Sequence, residues 1–167
     1  MDDGKNVIFN NIGSPIEQRG SDVGNPNAIL HCDSPLNRRQ RELLAMLPGY
    51  DSRAVVRKDR VSMKDLSALT AATNDEFALF TRGPKRLVIR GDRRHVNIDR
   101  NDAAKLRAQG YRWSGHTHVK LLDGLEFIPS KGDENVLKQF DQKNGVIYNS
   151  KGVYETFKNV KYRYKRG

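Results

Sequence analysis

The chain has 167 residues, 37% of them hydrophobic and 30% charged, with a formal net charge of +10. That length suits one domain with a modest core, and the basic balance favours an anionic partner. No apolar run is long enough to span a membrane, no secretory signal opens the chain, and the single cysteine, Cys32, excludes an intrachain disulfide and a thiolate metal cage.

Residues 1–35 read as an irregular leader or linker, because Gly13-Ser14-Pro15, Gly20-Ser21, Gly24-Asn25-Pro26-Asn27 and Ser34-Pro35 punctuate it too densely for a long element. Its short apolar stretches, Val7-Ile8-Phe9 and Ala28-Ile29-Leu30, suit docking on a partner or on the main domain. An α/β domain is expected over 36–157, with its core over 63–157, and a basic tail over 158–167. Asn37 caps a helix expected to run from Arg38 to Leu47, where Pro48-Gly49 stops it. Val55 and Val56 suit a short strand. Ser62 caps a second helix from Met63 to about Thr73, with Met63, Leu66 and Leu69 on one face.

Phe77 to Phe80 and Leu87 to Ile89, around Gly83-Pro84, read as a hairpin, and Val96 with Ile98 as a further short strand. Asp99 or Asn101 opens a third helix whose expected core face holds Ala103, Leu106 and Ala108. Tyr111 to His118 is then a strand, 119–129 a loop, and Ser130 the start of a helix through Val136, Leu137 and Phe140. Val146 to Asn149 and Val153 to Phe157 close the chain as a hairpin. The expected class is α+β, with helices packed on a mixed, mostly antiparallel sheet.

Charge is unevenly spread. Between Arg82 and Arg107 stand nine cations (Arg82, Lys85, Arg86, Arg90, Arg93, Arg94, Arg100, Lys105, Arg107) against three acids (Asp92, Asp99, Asp102). The last ten residues add Lys158, Lys161, Arg163, Lys165 and Arg166 with Tyr162 and Tyr164 interleaved. A solvated face and a frayed tail account for this, and so does contact with nucleic acid or an acidic protein. Among these cations Arg82, Lys85, Arg86, Arg90, Arg93 and Arg94 are the nominated contacts.

The residues that point to chemistry lie further on. Alternate side chains of a strand share a face, so His116 and His118 project together and can converge on one ion. A third ligand is needed, and Asp133 in Ser130-Lys131-Gly132-Asp133 is the natural candidate, presented where a helix begins. Each part also has a plainer reading: Ser130 and Asp133 as a capping box, the histidines as structural, Glu76 as an acid at a strand edge. Asp123 and Glu126 in the 119–129 loop are rival carboxylates, Asp123 facing solvent from a turn. Alternation places Trp113 opposite the histidine face, in the core. His31 and His95 lack a partner at ligand spacing, and Cys32 reads as inert.

Glu76 ahead of a hydrophobic strand, then Gly115-His116-Thr117-His118, then Ser130-Lys131-Gly132-Asp133, resembles the JAMM signature of the JAB/MPN metallopeptidase superfamily. The order of elements from about Met63 to Phe157 resembles that fold, with its cytidine deaminase-like layering. The resemblance implies Zn2+ held by His116, His118 and Asp133, Glu76 as general acid/base on water, and Ser130 as oxyanion stabiliser. Two departures stand out: Val119 occupies the place of a proline usual in the family, and the stretch between His118 and Ser130 is eleven residues long, a lengthening that loop closure tolerates. A wider tract, including Leu36 to Gln40 and Tyr111 to His118, resembles modules of phage head-associated proteins and polymorphic toxins.

The function expected is therefore zinc-dependent hydrolysis of peptide or isopeptide bonds, in a cytoplasmic protein or a delivered effector. One alternative is a nucleic-acid-directed toxin, nuclease or binding module that uses the basic stretch, with His116 and His118 as acid and base. A further alternative is an inactive phage structural or interaction module. The anionic partner is correspondingly nucleic acid or an acidic immunity protein.

Overall fold

A computed structural model of the chain describes residues 35–163. The leader with His31 and Cys32, its apolar stretches and the last four residues of the basic tail lie outside the described residues.

Six strands form one sheet: β1 (Arg53–Arg57), β2 (Phe77–Arg82), β3 (Lys85–Arg90), β4 (Arg112–His118), β5 (Asn144–Asn149) and β6 (Tyr154–Lys158). Their spatial order is β1-β3-β2-β4-β5-β6, antiparallel throughout except where β4 runs parallel to β5. Four helices pack with it: α1 (Arg38–Ala45), α2 (Met63–Thr73), α3 (Arg100–Ala108) and α4 (Lys131–Gln139), and a single helical turn, Val160–Arg163, follows β6. The class is α+β, as the periodicity predicts. No helix among the described residues is long and apolar enough to cross a membrane.

Alternation in β2 divides the core. Phe77 and Leu79, with Val88, face Leu43, Leu47, Leu66 and Leu69 of the α1 and α2 side. Ala78 and Phe80, with Leu87 and Ile89, face Ala103 and Leu106 of α3 and Leu137 of α4, and Phe140 just beyond it. The helix starts are capped where the sequence signals them. Asn37 Oδ1 accepts from the Gln40 N–H at 2.8 Å, Ser62 Oγ from Asp65 and Ser130 Oγ from Asp133, and each partner side chain bonds back to the cap backbone.

Three sequence expectations need correction. Val96–Ile98 is irregular, because Asp92 Oδ1 accepts from the Arg94 and His95 N–H groups at 2.8 and 3.0 Å and turns the chain on itself. Val96 and Ile98 still pack on the α3/α4 side of the core. The α1 helix stops at Ala45, with Leu47 buried beyond it. Ala108 is exposed: two residues past Leu106 is about 200° around a helix, away from the face that buries Ala103 and Leu106.

The parallel pair positions the site. A strand, a crossing helix and a parallel neighbouring strand form a βαβ unit, which brings the N-terminus of α4 to the carboxyl end of β4. Crevices at the carboxyl ends of parallel strands are where such units present functional groups.

Candidate metal centre

His116 and His118 are the last two same-face residues of β4, paired with Ile147 and Asn149 of β5. The intervening Thr117 points to the opposite layer, where its Oγ1 meets Thr70 Oγ1 at 2.6 Å and accepts from the Phe77 N–H at 2.9 Å. Those two buried bonds fix the register of β4 against β2 and α2, and so fix which face carries the imidazoles.

On that face the two Nε2 atoms stand 3.1 Å apart. The Asp133 carboxylate meets both, with Oδ1 3.0 Å from His116 Nε2 and Oδ2 3.2 Å from His118 Nε2. One donor atom from each of the three residues lies within 4.8 Å of the others. Around a tetrahedral zinc with bonds of about 2.0 Å, ligand atoms sit about 3.3 Å apart, so the observed nitrogen spacing needs little adjustment.

Asp133 is the third residue of α4, and it serves two purposes. Its Oδ2 accepts from the Ser130 N–H at 2.8 Å, and its own N–H donates to Ser130 Oγ at 3.0 Å. The capping box is therefore present, and it holds the carboxylate in the orientation that reaches the rings. Ser130 itself is exposed, with Oγ accepting from the helix.

His118 is oriented by a backbone group. Its Nδ1 lies 2.6 Å from the Glu126 carbonyl oxygen, which can only accept, so Nδ1 carries a proton and the Nε2 lone pair of the neutral ring faces Asp133 and His116. Glu126 is itself anchored: Oε1 accepts from the Leu121 N–H at 3.0 Å and Oε2 from Asn149 Nδ2 at 2.9 Å. These bonds hold its carboxyl below the usual carboxylate range, overcoming the opposing effect of burial. Glu126 thus supports the site from behind, and no sequence pattern announces a backbone carbonyl. Asp123, with a left-handed backbone (φ 59°), is exposed as expected.

His116 is wholly buried, and its Nδ1 lacks a hydrogen bond of good geometry, although the Val146 backbone is close enough to favour its proton. Trp113 stacks on its ring with centroids 4.9 Å apart and planes 28° from parallel. That corrects the expectation that Trp113 faces away. Leu79 pairs with Gly115 and Phe80 with Trp113, so Ser114 is an extra residue in β4. The bulge flips the alternation and puts Trp113 beside Phe80 in the same layer as His116. Gln142 secures the far side of that bulge, its amide accepting from the Trp113 N–H at 2.7 Å and donating to the Trp113 carbonyl at 2.9 Å.

Glu76 ends the loop before β2. Its Oε2 lies 3.8 Å from His118 Nε2, and only 7% of its side chain is exposed. Backbone bonds on both sides hold it, from the Glu76 N–H to the Asp92 carbonyl and from the Gly91 N–H to the Glu76 carbonyl, each 2.7 Å. The side chains of His118 and Asp133 are 13 and 12% exposed against 3% for His116, so solvent reaches the cluster from the His118 side.

The electrostatics follow from burial and charge. Burial pushes the Glu76 carboxyl up to about 8, with His118 opposing and Asp133 and Asp92 reinforcing. Burial works against a charged His118, but the Asp133 hydrogen bond and the Glu76 charge raise it to about 9. Burial lowers His116, outweighing Asp133. Asp133 is held far below the carboxylate range, because the two rings overcome its own desolvation. Two imidazole nitrogens and an acceptor-only carboxylate converge here, a set that ring protons satisfy in the metal-free chain and that could hold a metal ion.

The nominated cations separate in space. Arg82 and Lys85 close the β2–β3 hairpin, at the end of the sheet remote from the histidines, with Arg86 beside them. Arg90 is committed inward, its guanidinium 2.8 Å from Asp75 and donating to the Leu47 carbonyl at 2.6 Å. Arg93 and Arg94 lie beyond the other end of β3, exposed in the 91–99 loop. His95 is exposed and meets Tyr50 Oη at 3.0 Å, away from the centre.

No protein-family model, curated protein or solved structure matches the chain.

Proposed function

We propose that the chain is a zinc-dependent hydrolase of the JAB/MPN type, cleaving a peptide or isopeptide amide. The observation that carries this reading is the convergence of His116 Nε2, His118 Nε2 and the Asp133 carboxylate within 4.8 Å, with a buried glutamate 3.8 Å from one of the rings. Two imidazoles and one carboxylate form a catalytic-type zinc donor set, three protein ligands that leave a coordination position open. Bound zinc would supply Lewis acidity and lower the pKa of a coordinated water to about 7.

The chain's own groups account for the rest. Glu76 is the proton carrier: it takes a proton from the attacking water and returns it to the leaving amine. A divalent cation beside it favours the ionised carboxylate, so the base is charged when the site is loaded. Ser130 Oγ accepts from the Asp133 N–H, which leaves the hydroxyl hydrogen for an oxyanion. The Glu126 carbonyl keeps His118 in the ligating tautomer, and Trp113 holds the His116 ring in place. The resemblance of Glu76, His116, His118, Ser130 and Asp133 to the JAMM signature points to the same roles.

The test is metal content and turnover together. The wild-type chain should bind one zinc, and His116→Ala should lose it. Glu76→Gln should keep the metal and abolish cleavage of a peptide or isopeptide substrate library. Zinc content unchanged in both His116→Ala and Asp133→Asn would reject the reading.

A further inference from the structure

We infer that the hairpin end of the sheet is a binding surface for the phosphate backbone of nucleic acid, separate from the metal centre. The pairing registers align Arg57 with Lys85 and Lys85 with Arg82, a row of three cations on one face across β1, β3 and β2. All three are exposed. Like charges directly opposite one another destabilise a sheet, so this arrangement works against the fold unless an anion joins it. The layer behind supplies none, because the next paired row on that face is Val55, Leu87 and Phe80. Among the described residues no carboxylate pairs with Arg82 or Lys85. Arg57 meets only Asp59, at 3.4 Å with both side chains mostly exposed, a contact that solvent screens.

The positive surface continues around the hairpin end. The Lys58 N–H donates to the Pro84 carbonyl at 2.8 Å, which brings Lys58 beside the hairpin, while Arg60 of the same turn is committed to Glu42 at 2.8 Å; Arg112 pairs with Thr81 on the next strand. The Arg82 guanidinium carbon lies 5.9 Å from the Tyr111 ring centroid, a cation–π contact that steadies the exposed head without neutralising its charge.

The occupant follows from the spacing. Three neighbouring strands span about 10 Å, and a duplex strand places one phosphate per ~3.4 Å of axis, so the row faces about three consecutive phosphates. Guanidinium forks also match phosphate oxygens two at a time, and the net charge of +10 draws a polyanion from a distance. Nothing in the row reads bases, so the binding is independent of sequence.

The experiment is fluorescence anisotropy of the full chain with a labelled oligonucleotide of arbitrary sequence, at salt from about 50 to 300 mM. The expected result is binding that weakens steeply with salt and is indifferent to base order. In Arg57→Gln/Arg82→Gln/Lys85→Gln, affinity at low salt should fall at least about tenfold, and the log–log salt slope should become shallower by about two to three. The thermal midpoint of that variant should hold or rise, since the opposed charges are gone; this separates lost binding from lost folding. No binding at low salt, an unchanged slope in the triple variant, or equal competition by polyglutamate of the same length would overturn the inference.

Discussion

Proton release gives the sharpest test of the metal centre. In the metal-free chain His118 titrates at about 9 and Glu76 at about 8, so at pH 7 both hold a proton while Asp133 is ionised. A metal ion needs the His118 Nε2 lone pair, so binding at pH 7 must displace that proton against a gap of about two pH units, or about 2.7 kcal/mol at 1.36 kcal/mol per unit. Apparent zinc affinity at pH 7 should therefore lie about a hundredfold below its plateau above pH 9. If the bound cation also ionises Glu76, release at pH 7 approaches two protons; in Glu76→Gln it falls to about one. Calorimetric titration with chelator-buffered zinc, in buffers of different ionisation enthalpy, counts the protons directly. Zinc binding with no proton release at pH 7, or an affinity flat between pH 6 and 9, would refute the coupling of His118, Asp133 and the metal.

The same groups set the stability of the metal-free chain. His118, raised above its unfolded value near 6.5, stabilises fully below that pH, and its contribution is lost as pH rises through about 9. Glu76, raised from 4.5 to about 8, makes burial increasingly unfavourable as pH rises from about 4.5 to about 8, overlapping the lower part of the His118 range. In chelator, the thermal midpoint should fall between pH 6 and 9, and Glu76→Gln should raise it at pH 9; a midpoint that climbs over this range contradicts the buried carboxyl. Ser130→Ala removes the acceptor for the Asp133 N–H and should cost about 1 kcal/mol in urea denaturation while zinc stoichiometry stays at one; no loss would show that the cap carries no weight. Gly91→Ala would place a Cβ 2.1 Å from the His95 carbonyl oxygen, a clash of backbone with side chain. It should disturb the Gly91–Glu76 pairing, with large shifts at Glu76 and His118 in amide NMR spectra. Asp65→Asn weakens a cluster in which hydrogen bonds from Arg39 and Gln40 overcome burial and hold the carboxyl low. It should cost about 1–3 kcal/mol at pH 7, a difference that closes as pH falls below about 3.9, where the unfolded carboxyl also protonates.

Much of the layout was legible because it rests on local signals. The Asn37, Ser62 and Ser130 boxes mark three helix starts, and period-two alternation puts His116 and His118 on one face. What alternation could not show is the extra residue at Ser114, since a bulge depends on the partner strand's register and leaves no composition of its own. Trp113 therefore joins the His116 layer against simple alternation. Val96–Ile98 reads as a strand by side chain, but Asp92 captured the neighbouring amides. Glu126 reads from sequence as a rival carboxylate, whereas its carbonyl is the group that meets His118; every residue has a carbonyl, so sequence cannot rank one. The basic stretch looked continuous along the chain, yet the antiparallel turn of β2 and β3 sends Arg82 and Lys85 to one end and Arg93 and Arg94 towards the other.

The supports of the candidate centre do not depend on a metal. Ser130 caps α4 and fixes Asp133 whether or not an ion is bound, and Thr117 pins β4 from the opposite layer. Asn149 and the Leu121 amide hold Glu126, which in turn sets the His118 tautomer. Both apolar clusters, around Phe77 and around Phe80, lie between sheet and helices and close without any ligand atom. In a zinc finger the ion takes the place of a core, and the chain unfolds without it. Here the core stands on its own and a metal at the candidate centre would replace protons among preplaced bases, so its removal should lower the midpoint only by mass action and leave the sheet intact. Such preorganisation suits a cation that acts on a substrate better than one that holds the fold together.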